Sequence, residues 1–353
     1  MSVLFHPLNI RGVEFKNRIV VSPMCQYSSS EGSPTDWHVV HLGSRAVGGA
    51  ALVIAEATAV SPEGRISPDD AGIWNDRQAD EYRKITSFIT AQNCVPGIQL
   101  AHAGRKASTY APWKGSGELK TANGGWQTIA PSAEPYAEKY PLPRAMTVDD
   151  IRTVTDQFRS AAERSVRAGF RTIEIHMAHG YLIHEFLSPA SNHRTDEFGG
   201  AFDNRCRLAV EVAEAVRKSI PKDMPLFARI SVTDWSEGGW DVDQSVRLAA
   251  RLKETGVDLI DCSSAGNVHR ATVPAGPGYH VPFAARIKKE AGIAAGAVGF
   301  ITSPEQAEQI VATGQADMVI LAREMLRNPY WPLAAARQLK AEVEWPKQYV
   351  RAK

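Results

Sequence analysis

The sequence predicts an α/β fold: a single TIM (β/α)8 barrel over residues 1–353, with a long loop after the third strand (103–146) and a short C-terminal tail (343–353). Three observations predict it. Eight short β-branched runs alternate with eight amphipathic segments, the unit from which parallel barrels are built. The runs are almost continuously apolar, as strands covered on both faces are. An open doubly wound sheet is the alternative architecture, but the glycine-rich dinucleotide turn it favours after its first strand is absent.

The expected strands are Arg18–Met24, Ala51–Ala59, Val95–His102, Arg171–His176, Leu226–Val232, Asp258–Ser263, Ile293–Gly299 and Asp317–Arg323. Helices are expected near Asp36–Val47, Arg77–Gln92, Val148–Ala168, Asn204–Ile220, Asp243–Thr255, Pro282–Ala291, Pro304–Thr313 and Tyr330–Ala341. In the third of these, Ile151, Val154, Phe158, Ala161 and Ala162 share one face, Thr147 with Asp150 reads as a capping box, and Gly169 supplies the stop. Ser303 before Pro304, with Gln306 three residues on, marks another helix start. One connection breaks the rhythm. Residues Ala103 to Met146 show little periodicity and hold Tyr110, Trp113, Trp126, Tyr136 and Tyr140. Loops of this length in a compact domain are usually lids or binding loops, and one following a strand lies over the barrel's C-terminal mouth.

Composition narrows the chemistry. Hydrophobic residues at 44% and charged residues at 22% suit a globular enzyme, and a formal net charge of +1 with no Lys/Arg run offers no footprint for nucleic acid or an anionic membrane. His6, Arg11, Glu14 and Lys16 interrupt the first residues, so no secretory signal is expected and the expected location is cytoplasmic. The longest charge-free stretch, Ile85 to Gly104, contains Gln92, Asn93, Pro96 and Gln99 and is unsuited to span a membrane. Cys25, Cys94, Cys206 and Cys262 lie too far apart for zinc or disulfide patterns and are expected to be free thiols.

Strand ends are where barrel enzymes carry their chemistry. The first ends in Pro23-Met24-Cys25-Gln26-Tyr27, the second in Glu56-Ala57-Thr58, the third carries Gln99 and His102, and the fourth ends in His176-Met177-Ala178-His179-Gly180-Tyr181. A strand-end Cys25 is ordinarily a packing residue, and His176 with His179 lacks both helical spacing and a nearby third ligand for zinc, so no metal is expected. Arg229, inside an apolar strand, needs an anionic or strongly polar partner: an interior salt bridge, or an anionic ligand. Gly296 to Gly299, the helix opening at Ser303, and Arg323 lie where barrels commonly bind phosphate. With Arg229, they suggest a cofactor with a phosphate at one end and a polarisable ring at the other.

At this point a resemblance becomes specific. Pro23-Met24-Cys25-Gln26-Tyr27, His102-Ala103-Gly104-Arg105-Lys106, the run from Ile175 through His176-Met177-Ala178-His179-Gly180-Tyr181 to Pro189, and the run from Ser191 to Gly200 are similar to old yellow enzymes. More narrowly, they resemble the thermophilic-like bacterial branch that includes xenobiotic reductases, and the match spans Leu4 to Arg351.

The resemblance implies non-covalent FMN at the barrel mouth, contacted by Pro23, Met24, Cys25, Ala57, Gln99, Arg229, Gly299, Ala322 and Arg323. It implies ping-pong chemistry in which NADPH or NADH reduces FMN and leaves, and an activated alkene (an enone, maleimide or nitroalkene) then takes hydride in the same site. Nitro compounds and nitrate esters are further acceptors in this family. His176 and His179 are implied to bind the substrate oxygen, Tyr181 to donate the proton, Tyr27 to line the site, and Cys25 to tune the flavin. The family usually has glycine immediately before the phosphate arginine. Ala322 departs from that, and its methyl is expected to crowd the phosphate. The closing Gln348-Tyr349-Val350-Arg351 resembles a segment whose arginine crosses a subunit interface, which implies a homodimer or dimer of dimers with Arg351 acting in trans. A flavin-free lyase using Lys106 as a Schiff-base residue and Arg323 for phosphate is the rival reading.

Overall fold

The computed structural model describes residues 2–353, and at its base the chain first builds a plug. Strands β1 (Leu8–Ile10) and β2 (Val13–Phe15) pair antiparallel around Arg11 and Gly12. Val13 and Phe15 then join Val20, Leu52, Ile54, Phe227, Leu259 and Ile320 in one apolar cluster that fills the lower barrel. Three-residue strands are too short for alternation to register, so this hairpin was not expected from the sequence.

Next come β3 (Ile19–Val21), α1 (Asp36–Val47), β4 (Leu52–Ala59), α2 (Asp76–Ala91) and β5 (Val95–Ala101). The long connection holds only 3₁₀ turns and the short parallel pair β6 (Ile129–Ala130) and β7 (Arg144–Ala145). The chain continues through α3 (Val148–Arg167), β8 (Thr172–Met177), α4 (Leu182–Leu187), α5 (Phe202–Ser219), β9 (Leu226–Ser231) and α6 (Val242–Glu254). After these run β10 (Leu259–Ser263), α7 (Val281–Ala291), β11 (Ala294–Ala297), α8 (Pro304–Ala312), β12 (Met318–Leu321), α9 (Arg323–Arg327) and α10 (Trp331–Gln338).

Strands β3, β4, β5, β8, β9, β10, β11 and β12 form a closed barrel in that order, and β12 returns to pair in parallel with β3 at Val319–Ile19 and Leu321–Val21. This is the predicted TIM barrel. Its strand ends fall short of several expected bounds. Met24 lies beyond β3, β11 stops at Ala297 so that Gly299 is in a loop, and Arg323 opens α9 instead of closing the last strand. Ladder pairing with β3 ends at Leu321, and Ala322 leaves the extended region at φ −102°, ψ −97°. The expected helices are present, with two short additions, α4 and α9. All six residues of α4 are buried, so it carries no amphipathic stripe to read.

The punctuation behaves as the local chemistry dictates. The Thr147 side chain accepts the Asp150 N–H (3.1 Å), and the Asp150 carboxylate accepts the Thr147 N–H (2.7 Å). Hydrogen bonds from Arg144, first among the causes, hold that carboxyl well below its usual range. The α3 face of Ile151, Val154, Phe158, Ala161 and Ala162 is buried, and Gly169 ends the run at φ 89°. Ser303 likewise accepts the Gln306 N–H at 3.2 Å. No helix among the described residues is long and apolar enough to cross a membrane. Loss of the α3 cap by Thr147→Ala is expected to lower stability by about 1 kcal/mol, read as a shift in the urea midpoint at constant slope.

Candidate active site

The mouth of the barrel is organised by the turn between β8 and α4. His179 (φ 60°) and Gly180 (φ 70°) are consecutive left-handed residues, a conformation unfavourable for histidine unless its surroundings impose it. The surroundings do so. A Cβ on Gly180 would lie 2.2 Å from the Gly266 carbonyl oxygen, and one on Gly266 would lie 2.6 Å from the His179 Cα. Lys106 Nζ donates to the carbonyls of both His179 (2.8 Å) and Gly266 (3.0 Å). Ser231 Oγ accepts the His179 N–H (2.9 Å) and donates to Ala265 O (2.8 Å). His184 Nδ1 accepts the Gly180 N–H (2.9 Å), while its Nε2 faces Asp234 at 3.1 Å.

This turn presents His176, His179 and Tyr181 together. His176 Nδ1 accepts the Ala178 N–H (3.2 Å), which places the His176 proton on Nε2, 3.4 Å from His179 Nδ1. His179 Nε2 lies 2.7 Å from Ser263 Oγ. Burial first, and Arg229 second, hold both imidazoles well below their ordinary pKa, so both are neutral N–H donors. The Tyr181 ring meets His176 edge-on at 5.0 Å, and burial pushes its phenol well above the ordinary value. The Cys25 thiol is raised by burial, then by Asp70 and Glu56. Tyr27 meets Trp113 of the long connection edge-on at 5.7 Å. The Pro23–Tyr27 segment is anchored from below, where Glu56 accepts the Gln26 N–H (2.7 Å) and pairs with His38 (3.0 Å).

Polar groups beneath and beside the mouth give it two ends. Inside the barrel, Gln99 Nε2 donates to Glu174 Oε1 (2.7 Å) and Arg229 Nη1 donates to Ser22 Oγ (3.0 Å). Arg229 Nε lies 3.2 Å from Asp261 Oδ2 without hydrogen-bond alignment. To one side, a cleft of about 180 Å³ is lined by Arg229, Ser263, His280, Gly299, Ala322 and Arg323. The Arg323 guanidinium sits 4.5 Å over the Phe300 ring and has no hydrogen bond or ion pair among the described residues. The negative φ at Ala322 shows that the position does not call for the left-handed conformation that favours glycine. An amide and a buried guanidinium at one end, and an uncommitted guanidinium at the other, fit FMN: a hydrogen-bonding ring joined to a phosphate.

A profile of the NADH:flavin oxidoreductase / NADH oxidase family matches residues 3–342. The chain belongs to this family. It is 50% identical over 352 residues to an NADPH dehydrogenase of Geobacillus sp. (strain WCH70), covering 99% of this chain and 98% of that one. Solved structures agree. Morphinone reductase superposes with TM-score 0.81 at 25% identity, over 98% of this chain and 92% of its own. The old yellow enzyme homologue from Zymomonas mobilis does so with TM-score 0.79 at 27% identity, over 97% and 94%. The protein is thus an FMN-dependent NAD(P)H oxidoreductase of the old yellow enzyme family.

For this flavin oxidoreductase, most residues singled out in the sequence converge on the mouth: Tyr27, Cys25, His176, His179 and Tyr181 above, Gln99 and Arg229 beneath, and Gly299, Ala322 and Arg323 at the side. Pro23 and Ala57 are buried on the two flanking segments, with Met24 half-buried between. Arg351 does not join them. It is exposed in the 3₁₀ turn Lys347–Ala352, whose Tyr349 packs on Tyr330 (5.9 Å) at the start of α10. Lys106, the lyase candidate, is committed to two carbonyls, and burial brings its ammonium down to about 8. Glu174, Asp261, Ser22 and Ser263 were missed. The first two had a signal: each is a carboxylate inside an apolar strand, the same oddity that marked Arg229. Gly180→Ala is expected to displace the turn and lower stability by on the order of 1–3 kcal/mol in urea unfolding, and wild-type stability in this variant would contradict the close approach to Gly266.

Proposed function

We propose that this oxidoreductase reduces activated C=C bonds in enones, maleimides and nitroalkenes, with nitro compounds and nitrate esters as further acceptors. The nicotinamide, NADPH or NADH, leaves before the alkene enters the same site. The observation that carries this reading is the pair of neutral imidazoles, His176 and His179, with facing nitrogens 3.4 Å apart and Tyr181 beside them. Pro23, Met24, Cys25, Ala57, Gln99, Arg229, Gly299, Ala322 and Arg323 would hold FMN. When bound, FMN supplies the two-electron relay between nicotinamide and alkene.

The chain's own residues do the rest. Two N–H groups converging on a carbonyl or nitro oxygen stabilise the negative charge that develops there, the part an oxyanion hole plays. Neutral imidazoles keep those hydrogens without adding a charge for the substrate to compete with. Tyr181, held protonated by burial, then gives its phenolic proton to the α-carbon. Cys25 stays a thiol for the same reason and tunes its surroundings without acting as a nucleophile. Trp113 on Tyr27, with the Tyr136–Tyr140 pair at 4.8 Å, supports residues 103–146 as a lid over the mouth. The homodimer reading adds Arg351 in trans, and it is supported by the absence of any hydrogen bond or ion pair of Arg351 with the described residues.

Purified protein is expected to be yellow, with one FMN per chain released intact by acid; colourless protein that takes up no FMN would overturn the reading. His176→Ala and His179→Ala should each slow enone reduction by roughly 10²–10³, the scale for losing an oxyanion donor. Because both imidazoles are held well below the ordinary value of about 6.5, binding of phenolate-type ligands should not respond to imidazole protonation as pH falls from about 8 to about 6. Truncation after Pro346 and Arg351→Ala should both weaken substrate affinity. Unchanged affinity in both, or a fully active monomer, would refute action in trans.

A further inference from the structure

Four polar side chains share one layer of the barrel interior directly under the mouth. Gln99 of β5 stands opposite Glu174 of β8, and Arg229 of β9 stands opposite Asp261 of β10. Glu174 and Asp261 are fully buried. Two carboxyls therefore share a single guanidinium in a region sealed below by the apolar plug. Both cannot carry charge without an uncompensated buried anion. Their geometry divides the roles. Asp261 faces Arg229 at 3.2 Å, whereas Glu174 engages the Gln99 amide at 2.7 Å. Glu174 Oε2 and both Asp261 oxygens have no hydrogen-bond partner among the described residues.

We propose that Glu174 is a positioning residue that holds a proton beneath the ring end of the FMN site and fixes the Gln99 amide, while Asp261 neutralises Arg229. The pair thereby sets the flavin's reduction potential and its pH dependence. This rests on the FMN reading above. A hydride carries two electrons and one proton, so accepting it from the nicotinamide leaves the site one unit more negative. With Glu174 protonated, the layer beneath is neutral, since Arg229 and Asp261 cancel. Once Glu174 ionises, the layer opposes the incoming charge, and the potential must fall.

The electrostatics agree with the geometry. Burial first and Asp261 second bring the Glu174 carboxyl up to about 8, against the lowering effects of Arg229 and Gln99. Burial also raises Asp261, against Arg229. Among the described residues, no other charged group faces Glu174. Glu56 of β4 is engaged by His38 and Gln26, Ser22 beyond β3 bonds Arg229, His176 two residues along is neutral, and Ile320 of β12 is apolar.

The test is the midpoint potential of the FMN-loaded enzyme across about pH 6 to about pH 9.5, for wild type, Glu174→Gln and Asp261→Asn. Wild type should show an added downward bend near the Glu174 transition at about 8. Glu174→Gln should lack that bend, matching wild type at low pH and lying above it at high pH. Asp261→Asn removes the second cause that raises Glu174, so Glu174 should ionise at lower pH against Arg229, and the bend should leave the region of about 8 for lower pH. A Glu174→Gln curve parallel to wild type, or an Asp261→Asn curve that keeps the wild-type bend at about 8, would overturn the proposal. Infrared difference spectra of the holoenzyme, wild type minus Glu174→Gln, give a second measure: a protonated buried carboxyl band at low pH that fades as pH rises through about 8. Absence of that band at low pH also overturns it. Failure of the wild type to bind FMN would instead defeat the functional reading.

Discussion

Lys106 holds the active site together. Its ammonium donates to the carbonyls of His179 and Gly266, which binds the turn after β8 to the loop after β10 at a point where neither backbone has room for a side chain. The left-handed pair His179–Gly180 persists because it is overdetermined from several sides: Lys106 from the long connection, Ser231 from β9, and His184 backed by Asp234. Since His176, His179 and Tyr181 all hang from this turn, their mutual geometry is set by the packing of backbone on backbone. That is a stiffer constraint than side-chain preference.

The barrel axis runs from apolar to polar, and the chemistry follows this gradient. The hairpin plug and the lower strand residues exclude water from beneath, so charged forms at the mouth are disfavoured. Imidazoles shift down while the phenol and thiol shift up, and burial is the leading cause in each case. The result is a mouth populated by neutral hydrogen-bond donors, with the Arg229 guanidinium beneath and the Lys106 ammonium tying the turn. Such a site favours charge that develops during reaction over charge already present. The layer below it, with two carboxyls for one guanidinium, extends the same logic to the cofactor, where the protonation of a single buried acid is coupled to the electrons held above it.

The lateral cleft obeys a different rule. Arg323 is exposed and stacked on Phe300, and beside it the chain leaves β12 through Ala322 without needing a left-handed residue. The guanidinium at this end is uncommitted, whereas the polar groups under the mouth are buried. The two ends of the site thus present opposite environments.

The sequence by itself determined the barrel, because strand and helix periods, the Thr147–Asp150 box and the Ser303 cap depend on neighbours within a few residues. It also exposed Arg229, since a guanidinium in an apolar strand demands a partner, and the long His176–Pro189 run carried the family resemblance. The same rule applied to Glu174 and Asp261 would have found the buried acid pair. Only the tertiary structure decided what depends on distant segments. The plug became visible once eight strands closed over it. The imidazole tautomer of His176 and the neutrality of the pair required the backbone and burial around them. Lys106 changed from a candidate nucleophile to a structural tie once Gly266, 160 residues away in sequence, came within reach. Arg351 lies apart from the mouth, because the tail packs on α10 through Tyr349 and Tyr330. Local rules fix the elements; contacts between residues far apart in the chain fix charge, tautomer and reach.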